Sequence, residues 1–483
     1  MFLLIPILLP VVAGILVLAL PVLHKRTALR WTLGSVLIVE LGAVLIALSS
    51  NGMATPVLSL VDNLALVLSL DGIGKLFAGL AACIFTVVGF YSFSYLTHEE
   101  REWQFAGFYL LTEGALMLVS FAGSLVTFYM GYEMMTLCAL PLILHERTSE
   151  AIAAAKKYLY YSCFGALCGL FGIFVLMPSL TEVGFVPGGN LGGQVTGVTM
   201  AAVFVMMMGF GVKAGLFPMH GWLPTAHPVA PAPASAVLSG VITKTGVLGV
   251  IRTIYYTAGP DTIRGSWVQW VYIALICITI VMGSAMALRE DVLKKRLAYS
   301  TVSQVSYILL GVALLNEQGL TGAVTHIIFH SVIKNALFLI AGIMIIKTGY
   351  HKVSELTAMG RKMPVTIWCW VIVSLGLVGI PPMSGFVSKW QLMVGSMESG
   401  VGVLSYLAPV ALIVSALLTA GYLLPLGLRG FFCGSGVKTE NLEPDGLMLV
   451  PVVLLAGATV WMGIAPGGLL EFGRSLAAMV LNV

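Results

Sequence analysis

The sequence predicts an all-α integral membrane protein of about fourteen spanning helices, and three observations carry that prediction. Of 483 residues, 59% are hydrophobic and only 10% are charged, with a mean hydropathy of +0.99, whereas roughly a quarter of a soluble domain is charged. Apolar runs of about twenty residues follow one another from Met1 almost to Val483, and no polar stretch is long enough to bury a soluble core of its own. Lysine and arginine are shared unequally between alternate connections. Because unpaired backbone amides are costly in hydrocarbon, the runs are read as helices rather than strands.

The runs fall at residues 2–23, 31–49, 72–96, 104–122, 124–144, 157–178, 199–219, 233–256, 268–288, 298–315, 320–347, 365–396, 402–428 and 446–470. The first lacks a basic leader and is too long for a signal core, so it reads as the first spanning helix. Residues 1–100 then hold three helices, 101–256 five, 257–430 five and 431–483 the last, all in one membrane domain. One set of alternate connections carries 17 basic residues: Lys25, Arg26, Arg30, Arg101, Arg147, Lys156, Lys157, Arg289, Lys294, Lys295, Arg296, Lys347, Lys352, Arg361, Lys362, Arg429 and Lys438. The other set carries 4, namely Lys75, Arg252, Arg264 and Arg474. This bias places the richer side in the cytoplasm and both termini outside it, in a cell inner (cytoplasmic) membrane. The net charge of +4 therefore reports topology and gives no sign of a nucleic-acid partner. Cys83, Cys138, Cys163, Cys168, Cys277, Cys369 and Cys433 are scattered, without the spacing that would hold zinc, a cluster or haem. The expectation is no cofactor or metal in this chain, and any electron chemistry in another subunit.

Four basic residues remain, Lys213, Lys244, Lys334 and Lys389, all inside predicted spans. An ammonium at the bilayer centre costs at least about 2.5–3.5 kcal/mol, so each needs a partner or water. Among acids, Glu133 lies near the middle of the fifth span, Glu113 in the fourth and Glu40 in the second. Glu133 is the natural counter-charge for a buried lysine, and Glu113 is an accessory candidate. Lys213 begins VKAGLFPMHGWLPTAHPVAPAPASA after its valine, and Lys389 is the penultimate residue of SLGLVGIPPMSGFVSKW, so Pro218, Pro381 and Pro382 interrupt apolar helices beside an ionisable group. Such breaks are tolerated where they line a hydrated cavity, although a proline alone can be a mere kink. One break in each half of the chain points to the inverted repeats common in transporters.

His326, His330 and Lys334 recur at i, i+4 and i+8 along one helical face. They read as a proton relay, or else the histidines are packing groups that hydrogen-bond across helices. Lys244, in SAVLSGVITKTGVLGVIR, is flanked by Ser239, Thr243 and Thr245, which can hold water. His220 and His227 follow the seventh span, where they mark a cytoplasmic proton inlet or only shape the loop. Lys156, Lys157 and the run 289–296 read as interfacial anchors.

At these residues the chain resembles the antiporter-like, proton-translocating subunits shared by respiratory complex I, energy-converting membrane hydrogenases and Mrp-type cation/proton antiporters. The likeness covers roughly residues 100–400 and rests on KAGLFPMHGWLPTAHPVAPAPASAVLSGVITKTG, GYEMM, LKKRLAYSTVSQVSYILLG, HIIFHSVIKNALFLIAG and IPPMSGFVSKW. The resemblance implies two inverted five-helix repeats, helices 4–8 and 9–13, with helices 7 and 12 broken. It makes Glu133 the fifth-helix glutamate, Lys213 the broken-helix lysine that pairs with it, Lys244 the central lysine of the eighth helix, Lys334 part of the relay that follows, and Lys389 the terminal lysine. Some complex I paralogues have glutamate where Lys389 stands, and the long lateral helix of the largest paralogue is not expected after the fourteenth span. The implied function is proton translocation as one subunit of a redox-driven complex, of complex I-like NADH/quinone oxidoreductase or membrane-bound hydrogenase/formate hydrogenlyase type. Implied partners are paralogous antiporter-like subunits, small membrane subunits, peripheral redox subunits and the lipid bilayer. The alternative is a subunit of an Mrp-type sodium/proton antiporter; a stand-alone solute transporter or a non-conducting scaffold are more distant rivals.

Overall fold

Hydrocarbon leaves the backbone no water to bond, and the chain answers helix by helix. The computed structural model describes residues 2–49, 55–61, 64–193, 195–432 and 441–481, so Cys433 and Lys438 lie outside the described residues. Helices α1 (Ile5–Ala19) and α2 (Arg26–Ser49) precede an antiparallel hairpin, β1 (Thr55–Val61) and β2 (Leu64–Leu68). Helices α3 (Gly72–Tyr95), α4 (Glu102–Ser120), α5 (Leu125–Ile143) and α6 (Ser149–Leu176) follow. Helix α7 (Gly197–Ala214) ends at Gly215, whose φ of 83° suits glycine, and the chain resumes in the short α8 (Leu223–Val229). Next comes one continuous helical run, Ala232–Ala258, made of α9 (Ala232–Val237), a π turn (Leu238–Ile242), α10 (Thr243–Ile251) and a second π turn (Arg252–Ala258).

After the one-turn α11 (Pro260–Ile263), the pattern repeats: α12 (Trp267–Arg289), α13 (Leu293–Ala313) and α14 (Glu317–Thr348). Beyond the one-turn α15 (Met359–Lys362), a second broken helix, α16 (Pro364–Val378) and α17 (Ser384–Met397), is followed by α18 (Leu404–Phe432). Helices α19 (Gly446–Ile464) and α20 (Gly467–Leu481) close the described chain. Side-chain oxygens of Asp71, Ser124, Thr148, Thr196 and Asn316 cap the starts of α3, α5, α6, α7 and α14, each supplying an acceptor for an orphan amide of the first turn.

Among the described residues, 11 helices are long and apolar enough to cross a membrane. Each predicted span coincides with a helix or with a broken helix, and both breaks fall where the prolines place them. Two differences stand out. The last span stops at Ile464 and is followed by α20, which packs on α14 and carries Arg474, so that arginine is not a loop residue. The connection between α2 and α3 is a hairpin rather than a plain loop, held to the α4–α5 turn by Gly123 N donating to Val67 O at 2.8 Å and Val67 N donating to Thr127 Oγ1 at 2.9 Å.

Burial separates lining from core. The apolar window of the run Ala232–Ala258 is 100% buried and that of α14 is 94% buried, against 33% for α1 and α2. Helix α14 therefore forms a central post, packed by α13, α16, α17, α19, α20, α9 and α3. Its 32 residues extend about 48 Å at 1.5 Å per residue, more than the hydrocarbon thickness. Helix α10 meets α7 at Gly246, where an added Cβ would stand 2.5 Å from Phe210 O and 3.0 Å from Lys213 Cβ. That close approach brings the helix of Lys244 against the helix of Lys213.

Candidate functional site

The four lysines sit on the innermost elements: Lys213 in the last turn of α7, Lys244 on α10, Lys334 on α14 and Lys389 on α17, with exposures of 1%, 0%, 0% and 6%. Among the described residues none forms an ion pair with a carboxylate. Hydroxyls, carbonyls and aromatic faces host them instead. Lys213 Nζ donates to Thr136 Oγ1 at 2.7 Å, to Tyr158 OH at 3.1 Å and to Ser162 Oγ at 3.5 Å, so all three ammonium donors have acceptors. The Tyr132 and Tyr158 rings approach it at 5.0 and 4.9 Å.

The direct Lys213–Glu133 pair expected from the sequence is thus not formed. Glu133 lies on α5 one turn before Thr136, partly buried, and its Oε1 has no hydrogen-bond partner among the described residues. The hydroxyl of Thr136 stands where the carboxylate was expected. Charge on Glu133 still acts on Lys213, so the two are neighbours without contact.

Lys244 shows why the π turn matters. An α-helix bonds its carbonyls at i+4, but the wider Leu238–Ile242 turn leaves carbonyls available. Lys244 Nζ donates to Gly240 O at 2.7 Å and to Ser239 O at 3.0 Å. Ser331 Oγ on α14 donates to the same Gly240 O at 2.6 Å, and Ser239 Oγ bonds Thr301 Oγ1 on α13 at 2.7 Å. Three helices are thereby tied together around one ammonium. Lys389 uses a different device with the same result. The break after α16 leaves its last carbonyls without intrahelical partners, and Lys389 Nζ donates to Leu377 O at 2.6 Å and Val378 O at 2.9 Å, at the negative end of the helix dipole. The Tyr307 ring lies 5.1 Å from the same ammonium.

Between these two lysines stand the histidines of α14. His326 Nδ1 is 2.9 Å from Ser388 Oγ, one residue before Lys389, and its ring stacks on Tyr307 and on His330 with centroids 5.6 and 5.8 Å apart. Both His330 nitrogens are fully buried without hydrogen-bond partners among the described residues. Lys244, Lys334, His326 and Lys389 all act electrostatically on His330. Lys334 Nζ donates to Leu297 O at 3.0 Å.

The remaining candidates separate. His227 is not a loop residue: it lies on α8, wholly buried, stacked on Phe338 at 4.8 Å, with both ring nitrogens unpartnered among the described residues. His220, in the break between α7 and α8, stacks on Phe217 at 6.0 Å. Glu113 is fully buried but faces Glu40 across α4 and α2, away from the lysines. Two basic residues assigned to connections prove to be buried. Arg252, 1% exposed, makes a bidentate pair with Asp71 at 2.6 and 2.8 Å between the rings of Phe185 and Tyr256. Lys294, 5% exposed, donates to Ala230 O at 2.9 Å rather than anchoring at the interface. Among the described residues no group of three His, Cys, Asp or Glu side chains could hold a metal ion.

A family described as the NADH:quinone oxidoreductase/Mrp antiporter transmembrane family matches residues 122–419, which include Lys213, Lys244, Lys334 and Lys389. The chain belongs to that family. Within it, this antiporter-like subunit is 31% identical over 421 residues to NADH-quinone oxidoreductase subunit N of Desulforudis audaxviator (strain MP104C), covering 80% of this chain and 78% of the relative. It is 28% identical to hydrogenase-4 component B of Escherichia coli (strain K12), covering 83% of this chain but only 62% of that longer protein. Its fold matches a chain of the Mrp complex from Dietzia sp. DQ12-45-1b with a TM-score of 0.85 at 21% identity, over 99% of this chain and 97% of the other.

Proposed function

We propose that this chain conducts protons along Lys213, Lys244, the His330–His326–Lys334 group and Lys389, as one subunit of a redox-driven membrane complex. The observation that carries the reading is the set of buried lysines without carboxylate partners among the described residues, joined by hydroxyls, freed carbonyls and two stacked histidines. A lysine held this way is poised. Its proton is secure when an acid approaches and is released when the acid retreats in a dry site. Glu133 and Thr136, one turn apart on α5, give Lys213 two alternative hosts, and exchange between them is the switch. A change at a neighbouring subunit moves charge, Lys213 joins or leaves Glu133, and the proton passes inward to Lys244 and out at Lys389. Moving one charge against 100 mV costs about 2.3 kcal/mol, within the range of one charged hydrogen bond made or lost.

The basic-residue bias supports a cytoplasmic-membrane setting with both termini outside the cytoplasm. Redox centres belong to peripheral subunits in this reading, and paralogous and small membrane subunits flank the chain. The likeness to a quinone-oxidoreductase subunit and to a hydrogenase component supports the redox driver, while the Mrp likeness supports a second reading as a sodium/proton antiporter subunit. Purifying the native complex separates the two: iron–sulfur, nickel or flavin subunits support the first, and small membrane subunits alone the second. For conduction itself, Lys213→Ala in the assembled complex is expected to abolish proton pumping in membrane vesicles. Pumping at the wild-type rate would overturn the pathway.

A further inference from the structure

We propose that Lys294 is the inner gate of a proton inlet on the basic side of the membrane, loaded by Glu99 and Glu146 and delivering to Lys334 through His227. This deepens the functional reading above and rests on it.

Three elements converge at this place. Glu99 lies in the α3–α4 connection, half-buried, and Glu146 lies exposed in the α5–α6 connection. Lys294 opens α13 and turns inward, its Nζ on the Ala230 carbonyl at the end of α8. The charges of both carboxylates bear on Lys294 and oppose the effect of its burial. His227 lies one turn before Ala230 on α8, and both Lys294 and Lys334 act on its charge. Its two buried ring nitrogens have no partner among the described residues, an arrangement that costs free energy unless buried water completes it and links the ring to its neighbours. Helix α13 supplies the rest of the path on one face. Lys294 is followed one turn later by Leu297, whose carbonyl receives Lys334, and a further turn on by Thr301, which reaches Ser239 beside Lys244.

The mouth is suited to collecting protons. Burial, and then the neighbouring Glu146, raise the Glu99 carboxyl above the usual carboxylate range, with Lys294 opposing them. Each transfer moves one proton and no other atom. The Glu99 carboxylic acid gives its proton to the neutral Lys294 amine, leaving carboxylate and ammonium. The ammonium then protonates the His227 imidazole, which protonates the Lys334 amine, and Glu99 is reloaded from bulk water. A purely structural Lys294 would need only its charge and its bond to Ala230.

That difference makes the test. Lys294→Arg keeps a positive donor for the Ala230 carbonyl but cannot give up its proton. In vesicles holding the assembled complex, driven by its own reaction, Lys294→Arg is expected to lower coupled pumping by about a hundredfold, the scale of one lost acid–base group. Glu99→Gln with Glu146→Gln, at the aqueous edge where folding is not at stake, is expected to slow pumping at low buffer, with recovery on adding imidazole as a mobile proton carrier. Lys213→Ala, run in parallel, separates the two layers. If it abolishes pumping while Lys294→Arg and the double glutamine variant both pump like wild type, the inlet is overturned and the pathway stands. If Lys213→Ala itself pumps normally, the functional reading falls first.

Discussion

Replacing Thr136 with valine keeps the shape of the side chain and removes the acceptor of the shortest Lys213 hydrogen bond, at 2.7 Å. Tyr158 and Ser162, at 3.1 and 3.5 Å, remain as weaker hosts. A hydrogen bond to a charged group is worth about 1.5–3 kcal/mol. Since about 1.4 kcal/mol is tenfold, the hydroxyl-bound state of Lys213 should lose roughly ten- to a hundredfold in population against a Glu133-bound state. Lys213 would then dwell on the carboxylate and keep its proton. Thr136→Val is therefore expected to slow coupled pumping about tenfold or more, with the complex assembled to the normal level. The assay is proton uptake by vesicles at matched rates of the driving reaction, with complex content read from native gels. The decisive comparison is a double-mutant cycle with Glu133→Gln, because two hosts competing for one lysine cannot act independently. Wild-type pumping in Thr136→Val would refute the exchange, and so would effects of the two substitutions that simply multiply.

Three further outcomes follow from the same geometry. Lys389→Met leaves the Leu377 and Val378 carbonyls without their buried donor and is expected to stop proton release, at a stability loss of about 1–3 kcal/mol per orphaned group, measurable as a lower melting temperature in detergent. Asp71→Asn strands the Arg252 guanidinium and should destabilise the fold by about 3–5 kcal/mol. Burial raises the Asp71 carboxyl, but the charge and hydrogen bonds of Arg252, with Tyr256 and the Gly74 N–H, outweigh burial and hold it below the usual carboxylate range. Its contribution to stability is thus complete above that range and is lost as pH falls through the lowered value, a loss that Asp71→Asn should no longer show in an acid titration of unfolding. Gly246→Ala places a methyl 2.5 Å from Phe210 O, so α10 and α7 must part, with impaired assembly on native gels as the readout.

The lysines were legible because a charge inside an apolar window has no cheap explanation. Their hosts were not. Thr136, Tyr158 and Ser162 are ordinary residues in spanning helices, and only packing decides which hydroxyl meets which ammonium. The prolines announced both breaks, but not that the carbonyls freed at α16 would hold Lys389. Arg252 and Lys294 were misplaced for a shared reason: each lies near a helix end, where sequence cannot tell a side chain snorkelling to water from one turning inward. The expected Glu133–Lys213 contact followed from charge and from the family resemblance, and neither says anything about a threonine one turn away.

The π turn at Leu238–Ile242 behaves in its helix as a dislocation does in a crystal, since the surplus residue can shift along the row while the lattice on either side stays in register. Sliding it by one step would retire the Ser239 and Gly240 carbonyls and evict Lys244 from its seat. The Arg252–Asp71 clamp fixes the far end of the same run, so the rearrangement need not travel beyond it. In the proposed proton path, such a fault at the midpoint would let the wire be opened and closed there while both of its terminals stay soldered.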